Sequence, residues 1–122
     1  MYKILVVDDE KEIANILEEF LRKNGYDVIS TSDGMKALEI IESKVAFDGA
    51  VLDIRMPKID GIALLKALKR TNLDVPVFIL SGSVGAEAGQ RELKELGYAE
   101  QDILYKPIDL KEILSKIKER IG

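Results

Sequence analysis

AVLDIRMPKIDG, residues 50 to 61, runs from an apolar stretch into a loop. Ala50-Val51-Leu52 delivers a single carboxylate, Asp53, and Met56-Pro57 breaks the chain two residues past Arg55. Asp53 is therefore placed where a buried strand emerges into a loop, which is where open α/β sheets keep their chemistry. Whether Asp53 is a reactive group or a loop anchor depends on what else reaches the same edge.

Working outward, the same pattern recurs on both sides. KILVV, residues 3 to 7, is short and β-branched and stops at Asp8-Asp9-Glu10, as a strand covered on both faces would. Ile13, Ile16, Leu17, Phe20 and Leu21 follow at helical spacing, and Asn24-Gly25 stops that helix. Residues 26 to 31 read as a second strand. Ser32-Asp33-Gly34 opens a helix with Ala37, Leu38, Ile41 and Val45 inward, and the third strand is expected over residues 47 to 53. Asp60-Gly61 leads into a helix with Ile62, Leu65 and Leu68 inside, and residues 75 to 80 form a fourth strand that ends at Ser81-Gly82-Ser83.

Beyond that point the helical pattern of residues 84 to 96 is weak, because Gly85 and Gly89 each cost up to about 1 kcal/mol relative to alanine. A poorly stable or shifted helix is expected there, ended by Gly97. Ile103-Leu104-Tyr105 makes a short fifth strand, broken by Lys106-Pro107. Asp109 with Glu112 resembles a capping box for a final helix with Leu110, Ile113, Leu114, Ile117 and Ile121 as its inner stripe.

Five strand-helix units in 122 residues, 47% of them hydrophobic, predict one domain over residues 1–122 with a parallel sheet covered on both faces. Parallel strands aim their C-terminal ends one way. The fold should therefore gather Asp8, Asp9, Asp53, Ser81 and Lys106 at one edge.

Composition narrows the function classes. A net charge of −4, from 22 acidic and 18 basic residues, offers no basic face for direct nucleic-acid binding. The chain has no cysteine and no histidine, which excludes disulfides, thiolate metal sites and an internal phosphohistidine. No apolar run approaches the roughly 20 residues of a membrane span, and Met1-Tyr2-Lys3 leads directly into a strand without an export leader, so a soluble cytoplasmic location is expected.

Asp8, Asp9 and Asp53 repel one another when gathered, by about 4 kcal/mol for a unit-charge pair 4 Å apart at an effective dielectric near 20. Lys106 supplies one compensating charge. An oxygen-ligand cation, Mg²⁺ before softer metals, is the natural second, and it would leave Asp53 as an oxygen nucleophile toward a phosphoryl group. Taken singly these residues have ordinary readings: a helix cap for Asp8 or Asp9, a loop hydroxyl for Ser81, an exposed turn for Lys106-Pro107. The glycines of GSVGAEAG match no nucleotide fingerprint and are read as flexibility.

LVVDDE, LDIRMPKIDG, ILSGS and LYKPID, in this order and register, resemble the receiver domain of two-component response regulators, and the resemblance covers essentially the whole chain. It implies a flavodoxin-like fold with strand order 2-1-3-4-5. It also implies phosphoryl transfer from a histidine kinase or histidine phosphotransfer protein onto Asp53, with Mg²⁺ as cofactor. Asp9 would bind the metal directly, Asp8 mainly through water, and the backbone carbonyl of Arg55 would complete the protein's ligands. Ser81 would supply the switch hydroxyl and Lys106 would pair with the phosphate. The protein would catalyse its own phosphorylation and slow hydrolysis without turning over a metabolite.

Two departures from the family stand out. The usual aromatic residue three places before the lysine is Ile103, which cannot make the same ring movement; Tyr105, next to Lys106, is expected on the opposite face and is not taken as its substitute. The segment between Ser81 and Lys106 is longer than the common pattern, and a switch expressed as ordering of residues 82 to 100 is expected. Arg55, two places after Asp53, would sit at the site rim and influence the lifetime of the phosphoryl group.

Other readings compete. A Mg²⁺-dependent aspartyl phosphatase commonly wants a second aspartate where Arg55 stands. An interaction scaffold without phosphorylation has no need of Asp9, Asp53, Ser81 and Lys106 together, and a flavin carrier would have its phosphate repelled by the acidic edge. No output domain is visible after the last helix, so the chain is expected to be a stand-alone receiver or the receiver portion of a longer protein. It would be monomeric or dimerise on phosphorylation, with a downstream protein partner that the sequence does not name.

Overall fold

Each apolar run becomes a strand and each 3.6-period run a helix in the computed structural model, which describes residues 1–43, 45–54, 61–71, 75–82 and 90–122. In chain order these are β1 (Lys3–Val7), α1 (Lys11–Lys23), β2 (Asp27–Thr31), α2 (Gly34–Glu42), β3 (Gly49–Asp53), α3 (Gly61–Arg70), β4 (Val77–Ser81), α4 (Gln90–Glu95), β5 (Ile103–Tyr105) and α5 (Leu110–Arg120). The strands pair in parallel in the order β2-β1-β3-β4-β5, the flavodoxin-like arrangement. Among the described residues no helix is long and apolar enough to cross a membrane.

Alternation along the strands divides the core into two layers. Leu5, Val7, Ala50, Leu52, Val77 and Ile79 face one side, packed with Ala37 and Ile41 of α2, Leu64, Leu65 and Leu68 of α3, and Leu93 of α4. Ile4, Val6, Val51, Phe78, Leu80 and Leu104 face the other, against Leu17 and Leu21 of α1 and Ile113 and Ile117 of α5. The central strands β3 and β4 are buried at every position, which is why they read as unbroken apolar runs.

Several local expectations shift. Ile16 is 52% exposed and Ala14 is buried instead, so the inner stripe of α1 is Ala14, Leu17 and Leu21. Val45 is 39% exposed because α2 ends at Glu42, before the turn that would have carried it inward. The third and fourth strands begin two residues later than the apolar runs suggest, at Gly49 and Val77. A 3₁₀ turn over Glu100–Asp102 precedes β5, with no apolar periodicity to announce it. The expected shifted helix is present as α4, closed by Gly97 at φ +94°, while Gly85 and Gly89 lie outside the described residues. Asp109 does cap α5, accepting from the N–H groups of Lys111 and Glu112.

Register explains how the site forms. Val7 pairs with Leu52, Asp53 with Leu80, and Ser81 with Tyr105, so the strands end within about one residue of a common line. Gly61 holds the loop side of that line. Its N–H donates to the Ile54 carbonyl at 2.9 Å, and a Cβ there would lie 2.6 Å from both the Asp53 carbonyl oxygen and Ile54 Cα. Only a residue without a side chain lets α3 start this close to the strand end.

Candidate functional site

Backbone bonds continue past the strands and set the positions of the side chains beyond them. Asp8 N–H donates to the Thr31 carbonyl at 3.3 Å, Ile54 N–H to Leu80 at 3.0 Å, and Lys106 N–H to Ser81 at 2.8 Å. Asp8, Asp53 and Ser81 are consequently the buried polar residues among those described, and all three lie at the C-terminal edge of the sheet. Asp9 is exposed beside them.

Lys106 joins these groups. Its Nζ lies 3.0 Å from Asp8 Oδ2, 3.4 Å from Asp53 Oδ2 and 3.0 Å from Glu10 Oε1. Of the five residues expected at one edge, Asp8 and Asp53 meet the Lys106 ammonium, Asp9 lies beside Asp8, and Ser81 is buried at the end of β4. Arg55, expected as a carbonyl ligand and rim residue, lies outside the described residues.

Three carboxylates, those of Asp8, Glu10 and Asp53, lie against one ammonium group, and Asp9 is grouped with Asp8 and Glu10. Burial raises the Asp8 carboxyl above its ordinary 3.8; the Glu10 N–H bond to Oδ1 and the nearby Lys106 only partly offset this, and Asp9 adds to it. Burial pulls Lys106 the other way, toward neutrality, but its bonds to Glu10 and Asp8 and the charges of Asp53 and Asp8 outweigh that and hold it above its ordinary 10.5. Desolvation wins at Asp8 because it is completely enclosed, whereas the lysine head is partly open to water and has several anionic neighbours.

The donor set fits a hard divalent cation. Oxygens of Asp8, Asp9 and Glu10 lie within 4.8 Å of one another, a grouping found among the described residues. Asp8 Oδ2 sits 3.0 Å from Lys106 Nζ without hydrogen-bonding geometry, the bond from Nζ going to Oδ1 at 3.3 Å. A buried carboxylate oxygen with lone pairs not used in hydrogen bonds suits a carboxylate-and-water coordination shell.

Glu10 is the participant that sequence reasoning missed. It stands one place past the Asp8-Asp9 pair, and nothing local shows that its side chain would reach a lysine 96 positions later. Gly61 was visible only as half of a turn signal, not as the residue packed on Asp53. Ile103 borders a cavity of about 590 Å³ with Leu93 and Tyr98 and packs on the α2-α3-α4 layer. Tyr105, expected on the opposite face, instead shares by alternation the side of β5 that holds Ile103, because residues two apart in a strand point the same way; buried Leu104 is on the other side, and the Tyr105 hydroxyl donates to Glu100 Oε1 at 2.8 Å.

Comparison with known proteins agrees with this geometry. Residues 4–118 match the family described as the response regulator receiver domain. The transcriptional regulatory protein CpxR of Escherichia coli (strain K12) is 38% identical over 118 residues, 97% of this chain and 48% of that protein. The alkaline phosphatase synthesis transcriptional regulatory protein PhoP of Bacillus subtilis (strain 168) is 39% identical over 116 residues, 95% of this chain and 47% of that protein. The chain spans about half the length of these curated relatives. Among solved structures, the receiver domain of Francisella response regulator 1452 superposes with a TM-score of 0.85 at 36% identity, covering 99% of this chain and 97% of that one. A chemotaxis protein CheY4 structure from Vibrio cholerae gives a TM-score of 0.83 at 28% identity, with 98% of each chain covered. With the family match spanning nearly every element and the acidic edge built at its strand ends, the chain belongs to the response regulator receiver domain family.

Proposed function

We propose that this chain, as one receiver unit over residues 1–122, takes a phosphoryl group onto Asp53 from a phosphohistidine of a histidine kinase or histidine phosphotransfer protein. The observation that carries the reading is the bridge made by Lys106, which brings a cation within 3.4 Å of Asp53 Oδ2 at a buried strand end. An Asp53 oxygen attacks phosphorus in line with the donor nitrogen, the P–O bond forming as the P–N bond breaks, and the electron pair leaves with the imidazole. Lys106 neutralises charge on a transferring oxygen, and the Ser81 hydroxyl, carried at the end of β4, follows the phosphoryl group once it arrives.

Asp8 and Asp9, with Asp53 and the Arg55 carbonyl, would hold Mg²⁺, which when bound supplies charge neutralisation at the phosphoryl oxygens. Hydrolysis of the resulting mixed anhydride returns the free carboxylate, so the reaction is a self-limiting signal in the cytoplasm. The phosphorylated surface is passed to a downstream protein. Direct contact of this segment with nucleic acid is not proposed, given its charge of −4.

Incubation with Mg²⁺ and acetyl phosphate followed by intact mass tests this. One phosphoryl adduct is expected on the wild type and none on Asp53→Ala. No adduct, together with no stabilisation by Mg²⁺, would favour a scaffold that has lost phosphorylation.

A further inference from the structure

We infer that Glu10 is a positioning residue that holds the Lys106 ammonium toward the rim of the site, in competition with Asp53 at its floor. The inference rests on the phosphoacceptor reading of Asp53. Glu10 Oε1 and Lys106 Nζ are 3.0 Å apart, closer than Nζ is to Asp53 Oδ2 at 3.4 Å. The Glu10 side chain is 59% exposed and that of Lys106 15%, so the lysine head lies between solvent and the buried carboxylates. Glu10 occupies the N-cap of α1, yet its side chain makes no cap bond to the helix. Its backbone is fixed by donating to Asp8 Oδ1 at 2.9 Å and accepting from Ile13 and Ala14. A rigid backbone with the carboxylate turned to Lys106 is the arrangement of an anchor.

The consequence is a division of one cation between two ends. While Asp53 is free, Glu10 and Asp8 hold the ammonium against it. As charge develops on the transferring oxygens, the lysine is needed there, and any hold that Glu10 keeps weakens transition-state stabilisation. Releasing the anchor should therefore speed phosphoryl uptake.

The test uses wild type, Glu10→Gln and Glu10→Asp with acetyl phosphate at saturating Mg²⁺, following uptake by intact mass. The glutamine removes the charge; the aspartate keeps it on a side chain one methylene shorter, which draws the carboxylate back from Nζ. Both variants are expected to take up phosphoryl about two- to fivefold faster than wild type, the scale of one exposed ion pair. The difference should shrink toward unity in 1 M KCl, where the screening length is about 3 Å. A structural effect on α1 would not follow salt in this way. Wild-type rates for Glu10→Asp would overturn the inference, since acceleration by glutamine alone would reflect charge on the approaching donor. Loss of Mg²⁺ affinity by tenfold or more in Glu10→Gln, read from thermal shift, would instead make Glu10 a metal ligand and also overturn it. Equal rates in all three proteins would sink this inference and leave phosphorylation of Asp53 standing, whereas no uptake by wild type would remove both.

Discussion

The Lys106 ammonium lies 3.4 Å from the Asp53 carboxylate across a 53-residue separation in sequence, with Asp8 and Glu10 at 3.0 Å on its other sides. A lysine serving two buried acids and one exposed acid is a stabilising group whose removal exposes their mutual repulsion. The charge arrangement of the unphosphorylated site therefore rests on this residue.

Lys106→Met should destabilise the protein in Mg²⁺-free buffer by about 1–3 kcal/mol, as uncompensated carboxylates do when partly protected from water. Mg²⁺ should stabilise the variant more than the wild type, because it then faces the same acids without a competing cation. Urea unfolding with and without Mg²⁺ measures both; equal Mg²⁺ responses would contradict the shared-charge account.

Asp8→Asn should raise stability at pH 7.5 without Mg²⁺, by an amount on the order of 1 kcal/mol. The folded Asp8 pKa lies above 3.8, so the carboxyl binds its proton more tightly in the folded protein. Its favourable contribution is complete below the unfolded value and is lost as pH rises through the folded one. The variant's advantage should accordingly vanish as pH falls toward 3.8. Thermal unfolding of both proteins across pH isolates this difference, and an advantage that grows in acid would reverse the sign assigned to Asp8.

Gly61→Ala should cost about 1–3 kcal/mol, since the new methyl meets strand backbone at 2.6 Å rather than a side chain able to swing away. It should also slow phosphoryl uptake by moving Asp53. Gly25→Ala is the control: its φ of +92° makes alanine costly by about 1 kcal/mol, but the space around it is open and it is remote from the site. Matched destabilisation with slow uptake only in Gly61→Ala is the expected pattern.

Ile103→Phe should change stability by less than about 1.5 kcal/mol, because the side chain borders a cavity of about 590 Å³ that can take a ring. Leu104→Ala, one residue away in the opposite core layer, should cost about 2–5 kcal/mol. Chemical denaturation of the pair distinguishes a tolerant edge position from a packed one.

Local pattern was sufficient for the fold: two-residue and 3.6-residue periods along the chain, with Gly25, Asp33, Gly97 and Asp109 as boundaries, mark strands and helices one after another. The parallel topology then places Asp8, Asp53, Ser81 and Lys106 on one line, because strands of one direction share an end. Finer features escaped. Ile16 and Val45 follow an apolar pattern but lie outside, since where a helix starts and stops rotates its inner face. Ile103 and Tyr105 could be counted from Lys106, yet only the neighbours of β5 show a cavity beside the first and Glu100 bonded to the second. The reach of Glu10 to Lys106 and the contact of Gly61 with Asp53 belong to the tertiary structure alone. Periodicity records which face of an element is buried, whereas an ion pair between residues 96 positions apart, or a backbone approach that excludes one methyl group, is a distance between elements and exists only once they have packed.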